Sequence, residues 1–303
     1  MIVSINPTYF CNFRCDFCYL TKQQLGDLNT ISMEDLDTRL GEVPDIEWVD
    51  LYGGEIGTMR KDKFYEMKSV IRKHYKGDIN IITNLSMMQD YFLDDDISLS
   101  VSYDFDAREK HDKVFMNMLA SPKPLAVLIL ASPRVLMMDI NQMISQLNAV
   151  TKVESVEIKP YSINQANNYD VTHADFEDFV MQWIDHPNKN FRLVNEDHII
   201  ESLNGQYNAF SDDHVYITPN GKFGVLEFDH HDREYFLELS TYDEYLQWTK
   251  KEKQDNVSDI CRECPYFGKC LTEHYRYVKD LEHSCNGYRF LLDEYKDSYY
   301  GQK

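Results

Sequence analysis

Cys11, Cys15 and Cys18 lie in the run Cys-Asn-Phe-Arg-Cys-Asp-Phe-Cys-Tyr, whose spacings of four and three residues let one loop wrap three thiolates around a single cubane. A fully ligated [4Fe–4S] cluster takes four thiolates. Three leave one iron open, and an open iron can be chelated by the amino and carboxylate groups of a ligand such as methionine. An electron passed from the cluster to a sulfonium would then break a carbon–sulfur bond homolytically. The cofactor carries such a reaction, and the protein orients and shields it. A zinc site or three unrelated cysteines are the other readings of this spacing.

A second group, Cys261-x2-Cys264-x5-Cys270-x14-Cys285, is a four-thiolate set. Three close cysteines and a distal partner make a closed site that suits zinc and iron–sulfur equally. The N-terminus, MIVSINPTYFC, lacks the basic run and small-residue cleavage site of a signal peptide. No apolar run approaches the ~20 residues that span a bilayer. The chain is therefore expected in the cytosol, cytoplasmic and without a membrane. There thiols stay reduced, and two tight cysteine groups point to metal rather than to disulfides.

Around these residues, short apolar runs alternate with longer amphipathic ones. Ile2–Asn6, Trp48–Tyr52, Ile79–Thr83, Ser98–Tyr103, Leu125–Ala131 and Val153–Pro160 read as strands. Met33–Leu40, Lys61–His74, Ile140–Val150 and Ala174–Asp185 read as helices between them. Strand–helix alternation implies an α/β fold with a parallel sheet, and six strands imply a partial (β/α)6 TIM-type barrel. Barrel sites form at the C-terminal ends of strands. The loops that matter are then Gly53-Gly54-Glu55, Thr83-Asn84, Ser102-Tyr103-Asp104 and Lys159-Pro160-Tyr161. The glycines would let backbone approach a ligand closely, and Glu55 offers an acceptor for an ammonium. Lys159, Tyr161 and Asn164, with Gln165, Asn167 and Asn168 beyond, form a polar rim suited to a substrate. After residue ~190 the rhythm changes: Val215–Thr218 and Lys222–Glu227 flank a Pro219-Asn220-Gly221 turn, and a polar helix over Tyr242–Lys253 leads into the second cysteine group. This places a barrel domain over 1–210 and a small cysteine-rich domain over 211–303.

CxxxCxxC after a first barrel strand resembles the signature of the radical S-adenosylmethionine superfamily. The resemblance implies a [4Fe–4S] cluster on Cys11, Cys15 and Cys18, and S-adenosylmethionine as cofactor. It implies that Gly53, Gly54 and Glu55 hold the methionyl amino group, that Asn84 lines the cofactor pocket, and that Tyr19 packs near the adenine. Ser102 would bond the cofactor's carboxylate or ribose, and Asp104, Lys159 and Tyr161 would face the substrate as candidate catalytic residues. Two positions depart from the family pattern: Ile56 stands where proline usually follows Gly-Gly-Glu, and Leu85 where glycine usually follows Thr-Asn.

The Cys-x2-Cys-x5-Cys spacing, the Pro-Asn-Gly hairpin and the Tyr245-Leu246-x-Trp248 helix resemble the SPASM and twitch auxiliary domains. A full SPASM domain has seven cysteines, including one after the hairpin glycine, where this chain supplies none. The four present permit one auxiliary [4Fe–4S] cluster on Cys261, Cys264, Cys270 and Cys285, closer to the twitch type. The resemblance thus implies an enzyme that forms a 5′-deoxyadenosyl radical and abstracts hydrogen, foremost from a peptide or protein, with a small metabolite or nucleotide-derived substrate as the alternative. Its electron donor would be a flavodoxin or ferredoxin. The competing class is a non-enzymatic iron–sulfur electron carrier or metal-stapled binding protein. With 31 Lys+Arg against 51 Asp+Glu, the net charge of −20 disfavours direct duplex nucleic-acid binding.

Overall fold

The computed structural model describes residues 1–161, 166, 171–226, 236–255, 257–272, 280 and 285–300. The first half runs β1 (Ile2–Ile5), α1 (Met33–Glu42), β2 (Trp48–Leu51), α2 (Lys61–His74), β3 (Ile79–Thr83), β4 (Ile97–Ser102), α3 (His111–Ala120), β5 (Leu125–Ala131), α4 (Pro133–Leu136) and α5 (Ile140–Asn148). The second half runs β6 (Val153–Pro160), α6 (His173–Asp185), β7 (Arg192–Leu193), α7 (Val194–Leu203), β8 (His214–Ile217), β9 (Phe223–Leu226), β10 (Phe236–Leu239), α8 (Tyr242–Asp255), α9 (Asp259–Arg262) and α10 (Arg289–Tyr295).

Local chemistry starts and stops these elements. Ser32 accepts from the Asp35 backbone N–H at the head of α1, where Glu34 and Asp35 also favour the helix dipole. Thr172 and Asp175 form a reciprocal capping box at the head of α6. In β5 every second residue is buried, the alternation of a strand with two different faces.

The strands form one sheet in the order β10-β9-β8-β1-β2-β3-β4-β5-β6-β7. Pairing is parallel from β8 to β7 and antiparallel at the β8–β9–β10 edge. The result is a partial TIM-type barrel. Its outward face packs Val3, Ile5, Val49, Leu51, Ile81, Val101, Val127 and Ile158 into one hydrophobic core with Leu36, Leu40, Phe64, Met67, Ile71, Val114, Met118, Ile144 and Leu147 of the helices. On the inward face Ser4, Asp50, Asn80, Ser100, Glu157, Lys159 and His214 line a central cavity beside Ile82, Leu128 and Leu130.

The turn after β8 has the expected form, with Gly221 at φ +67° and Thr218 N–H bonded to Lys222 O at 2.9 Å. The strand before it does more than make a hairpin. β8 pairs in parallel with β1, Ile2 opposite His214 and Ile5 opposite Ile217. The 210/211 boundary therefore falls between elements, while the sheet runs across it. No described helix is long and apolar enough to cross a membrane.

Candidate functional site

The Cys11–Cys18 loop leaves the end of β1 and is clamped from three sides. Its anchors are Phe13 and Phe17, both buried. Gly54 N–H bonds Thr8 O and Glu55 N–H bonds Phe10 O, each at 2.8 Å, so the loop after β2 lies directly on the segment leading to Cys11. A methyl group on Gly53 would sit 2.0 Å from the Asn6 side chain, and one on Gly54 would sit 2.1 Å from Phe10 O. These glycines thus permit a close approach, Gly53 to the Asn6 side chain and Thr8 O and Gly54 to the backbone of Phe10 and Tyr9, and so seat the cysteine loop.

Glu55 has a matching task. It is 1% exposed. Oε1 accepts from Gly57 N–H (2.7 Å) and the Thr83 hydroxyl (2.6 Å), and Oε2 accepts from Asn84 N–H (2.6 Å). Burial raises its carboxyl above the usual range, opposed by these donors. The carboxylate ties the β2 loop to the end of β3 and leaves Oε2 one acceptor position for an ammonium.

The two departures from the family pattern become intelligible here. Leu85 adopts φ +48°, the left-handed conformation a glycine takes without strain. It is held there by Leu85 N–H to Thr83 Oγ1 (3.0 Å) and by Asn117 donating to Leu85 O (2.7 Å), while its side chain is fully buried. Ile56 fills the core where proline would stand, in a short 3-10 turn capped by Glu55.

N–H groups point at all three sulfurs, the Glu109 backbone N–H at Cys15 among them. Phe13 N–H donates to Cys11 Sγ (3.4 Å), Leu20 N–H to Cys18 Sγ (3.4 Å), Asn84 Nδ2 to Cys11 Sγ (3.9 Å) and Arg108 Nη1 to Cys15 Sγ (3.8 Å). Burial pushes Cys11 and Cys18 up to about 11 and raises Cys15, while the Arg108 charge pulls all three down. The three thiols feel one another and share one cavity of about 770 Å³ with Glu55, Asn84, Ser102, Asp104, Lys159 and Tyr161. Tyr19 lines the same space, stacked on Tyr52 at 5.9 Å with its hydroxyl donating to Gly53 O (3.4 Å).

The candidate catalytic residues occupy different stations. Asp104 is fully buried, its Oδ1 accepting from Leu130 N–H (2.6 Å) and its Oδ2 from Arg108 Nε (2.8 Å). Lys159 pairs with Glu157 at 2.5 Å on the inner face of β6. Tyr161 is buried on the cavity wall. Ser162, Asn164, Gln165, Asn167 and Asn168 lie outside the described residues.

Residues that spacing did not single out complete the cavity floor. Asp50 Oδ1 accepts from Trp48 Nε1 and Asn80 Nδ2, both at 2.8 Å, and burial raises its carboxyl. His214 Nε2 meets Ser4 Oγ at 2.9 Å, and its ring stacks on Tyr216 at 4.5 Å. Burial and the nearby Lys159 charge push His214 down to about 4. Only the strict alternation of these strands, a period of two, carried a signal for them.

The second cysteine group also converges. Burial and the proximity of Cys285, Cys270 and Cys264 push Cys261 up to about 12. A methyl group on Gly287 would lie 2.8 Å from Cys270 Sγ and 3.9 Å from Cys285 Sγ. Leu271 and Thr272, after Cys270, and Asn286 and Tyr288, after Cys285, line the same cavity as the first group. Among the described residues, no three of His, Cys, Asp and Glu are drawn together as tightly as one metal ion demands. A cubane spreads its thiolates more widely than a zinc ion, whose sulfurs sit about 2.3 Å from the metal.

No protein-family profile matches this chain, and no curated protein matches its sequence. Solved structures do. The chain superposes on anSMEcpe with bound AdoMet at a TM-score of 0.70 and 14% identity, over 99% of this chain and 97% of that one. The complex of anSMEcpe with AdoMet and the Cp18Cys peptide gives 0.67 at 13% identity, over 99% and 96%. Streptococcus suis SuiB bound to precursor peptide SuiA gives 0.65 at 14% identity, over 91% of this chain and 74% of that one. At such identities the likeness is one of fold, shared over nearly the whole of both chains with anSMEcpe and over 74% of SuiB.

Proposed function

We propose that this chain is a radical S-adenosylmethionine enzyme that modifies a peptide or protein. The observation that carries the reading is the placement of three half-buried thiols that feel one another's charge, Cys11, Cys15 and Cys18, on the wall of a cavity that also holds Glu55 and Asn84. The donor set fits an iron–sulfur cluster with one open iron. When bound, a reduced cluster with S-adenosylmethionine supplies an adenosyl radical able to take hydrogen from an unactivated C–H. The chain's own residues do the rest. Gly53 and Gly54 seat the cysteine loop, Glu55 keeps an acceptor position for an amino group, and Tyr19, Tyr52 and Ser102 wall the cofactor side. Asp104 holds Arg108 in place, while Lys159 and Tyr161 face the substrate side, Tyr161 buried and Lys159 open to solvent.

Cys261, Cys264, Cys270 and Cys285 fit a second, fully ligated cluster, with cysteine-adjacent residues on the same cavity. The peptide reading is supported by fold neighbours that hold peptides in the same fold. A flavodoxin or ferredoxin would supply the electron. Anaerobic reconstitution tests the whole reading. It should give about eight irons per chain, and with dithionite, S-adenosylmethionine and candidate peptides it should release 5′-deoxyadenosine. About four irons plus zinc would remove the second cluster, and no deoxyadenosine with any peptide would remove the enzyme.

A further inference from the structure

Arg108 belongs to none of the motifs above, yet it is the cation whose field falls on all three N-terminal thiols. It sits in the loop between β4 and α3, and only 12% of its side chain is exposed. The guanidinium is divided between two partners. Nε and Nη2 both reach Asp104 Oδ2, at 2.8 and 2.5 Å, and Nη1 points the other way, to Cys15 Sγ at 3.8 Å. Its plane lies against Phe17, 5.3 Å from the ring centroid. Asp104 is in turn fixed by Leu130 N–H on β5. A rigid chain of bonds therefore runs from the sheet through a carboxylate and a fork-shaped cation to one thiolate. A buried guanidinium is costly unless paired, and Asp104 provides that pairing without taking the donor aimed at sulfur. Lysine, a point charge on a flexible stem, could not serve both partners in this way.

We propose that Arg108, oriented by Asp104, is a positioning residue that sets the reduction potential of the cluster held by Cys11, Cys15 and Cys18. The proposal rests on the cluster reading above. One electron entering the cluster adds one negative charge, spread partly onto its thiolates. An N–H···S bond and a nearby cation stabilise that extra charge, and both are recognised levers on cluster potentials. Removing the cation disfavours reduction. Removing its counter-charge while keeping the cation favours it.

The test is EPR-monitored potentiometry on the reconstituted full chain, on a Cys270→Ala background so that one cluster is read. Arg108→Met should make reduction about tenfold harder, a shift of about 59 mV to more negative potential for a one-electron couple. Asp104→Asn should move the midpoint the opposite way, and Arg108→Lys should fall between wild type and Arg108→Met. Opposite signs at Arg108 and Asp104 are what a structural role cannot produce, because loosened packing would shift both variants alike. If Arg108→Met binds no iron, the signs for Arg108→Lys and Asp104→Asn decide. A wild-type cluster whose midpoint is matched by the variants, or shifts of one sign in both, overturns this proposal alone. Absence of any cluster in the wild type overturns the function it rests on.

Discussion

The two cysteine groups are held in opposite ways. Cys11, Cys15 and Cys18 depend on the barrel: Gly54 and Glu55 from the β2 loop, Asn84 just past β3 and Arg108 beyond β4 all close on a loop of eight residues. Cys261, Cys264 and Cys270 depend on one another, in turns such as Cys264 N–H to Cys261 O (3.1 Å), with Cys285 arriving from the segment that Gly287 packs on Cys270. A site with a missing ligand needs an external frame to keep its open face aimed at the cavity. A complete site carries its own frame and can hold a small module together, since metal-binding energy is then folding energy. Chemistry and stability should therefore separate when the two sets are broken one at a time.

The largest effect belongs to that separation. Cys15→Ala should cut 5′-deoxyadenosine formation at least about a thousandfold, more than ~4 kcal/mol of barrier. The melting temperature should hardly move. Cys270→Ala should leave reductive cleavage of S-adenosylmethionine measurable but lower the melting temperature by several degrees and halve the iron. Equal loss of activity in both variants would erase the distinction.

A smaller effect comes from the two glycines that serve these sets. A methyl on Gly54 meets backbone, Phe10 O at 2.1 Å and Tyr9 O at 2.5 Å, and a methyl on Gly287 meets Cys270 Sγ at 2.8 Å. Backbone cannot swing aside as a side chain can, and such overpacking costs about 1–3 kcal/mol. On a Cys15→Ala background, Gly54→Ala should change iron content little, because the set it serves is already empty. Gly287→Ala on the same background should lower iron further. If both double variants lose iron equally, the glycines are not specific to their neighbouring sets.

This arrangement was legible in part from residues alone. Ile79–Thr83, Leu125–Ala131 and Val153–Pro160 are legible to the residue, the first two as mainly apolar runs and the third as apolar residues interleaved with polar ones. α3 and α7 were not anticipated. Neither has a side-chain cap at its N-terminus, and α3 is entered through Lys110 in a left-handed conformation. The cysteine motifs are local and could be read directly. The roles of Glu55 and Arg108 could not, since their partners lie 28 and 93 residues away in sequence. Nor does a hairpin signal say which sheet the hairpin joins. Only the folded chain places β8 beside β1 and carries the barrel into the cysteine-rich half.

That junction yields the smallest of the expected effects. His214 faces the cavity from β8 and bonds Ser4 of β1 across the β1–β8 pairing. Its imidazole stands at about 4, against 6.5 when unperturbed, mainly through burial and secondarily through the Lys159 charge, with Asp213 opposing. Between these values the unfolded chain binds a proton that the folded chain refuses, so stability falls as pH falls from 6.5 toward 4 and is untouched above that window. From pH 7 to pH 5 the group accounts for about 2 kcal/mol of the loss. Many carboxylates titrate in the same range, so the measurement is a difference. Urea unfolding of wild type and His214→Gln at both pH values should show the variant losing about 2 kcal/mol less than wild type on acidification. Glutamine keeps a polar partner for Ser4 and removes the proton site. An identical acid loss in the two proteins would mean that His214 already accepts a proton in the folded state. The β1–β8 seam would then be hydrated and loosely joined, and the cysteine-rich half would owe its place to the second cysteine set rather than to the sheet.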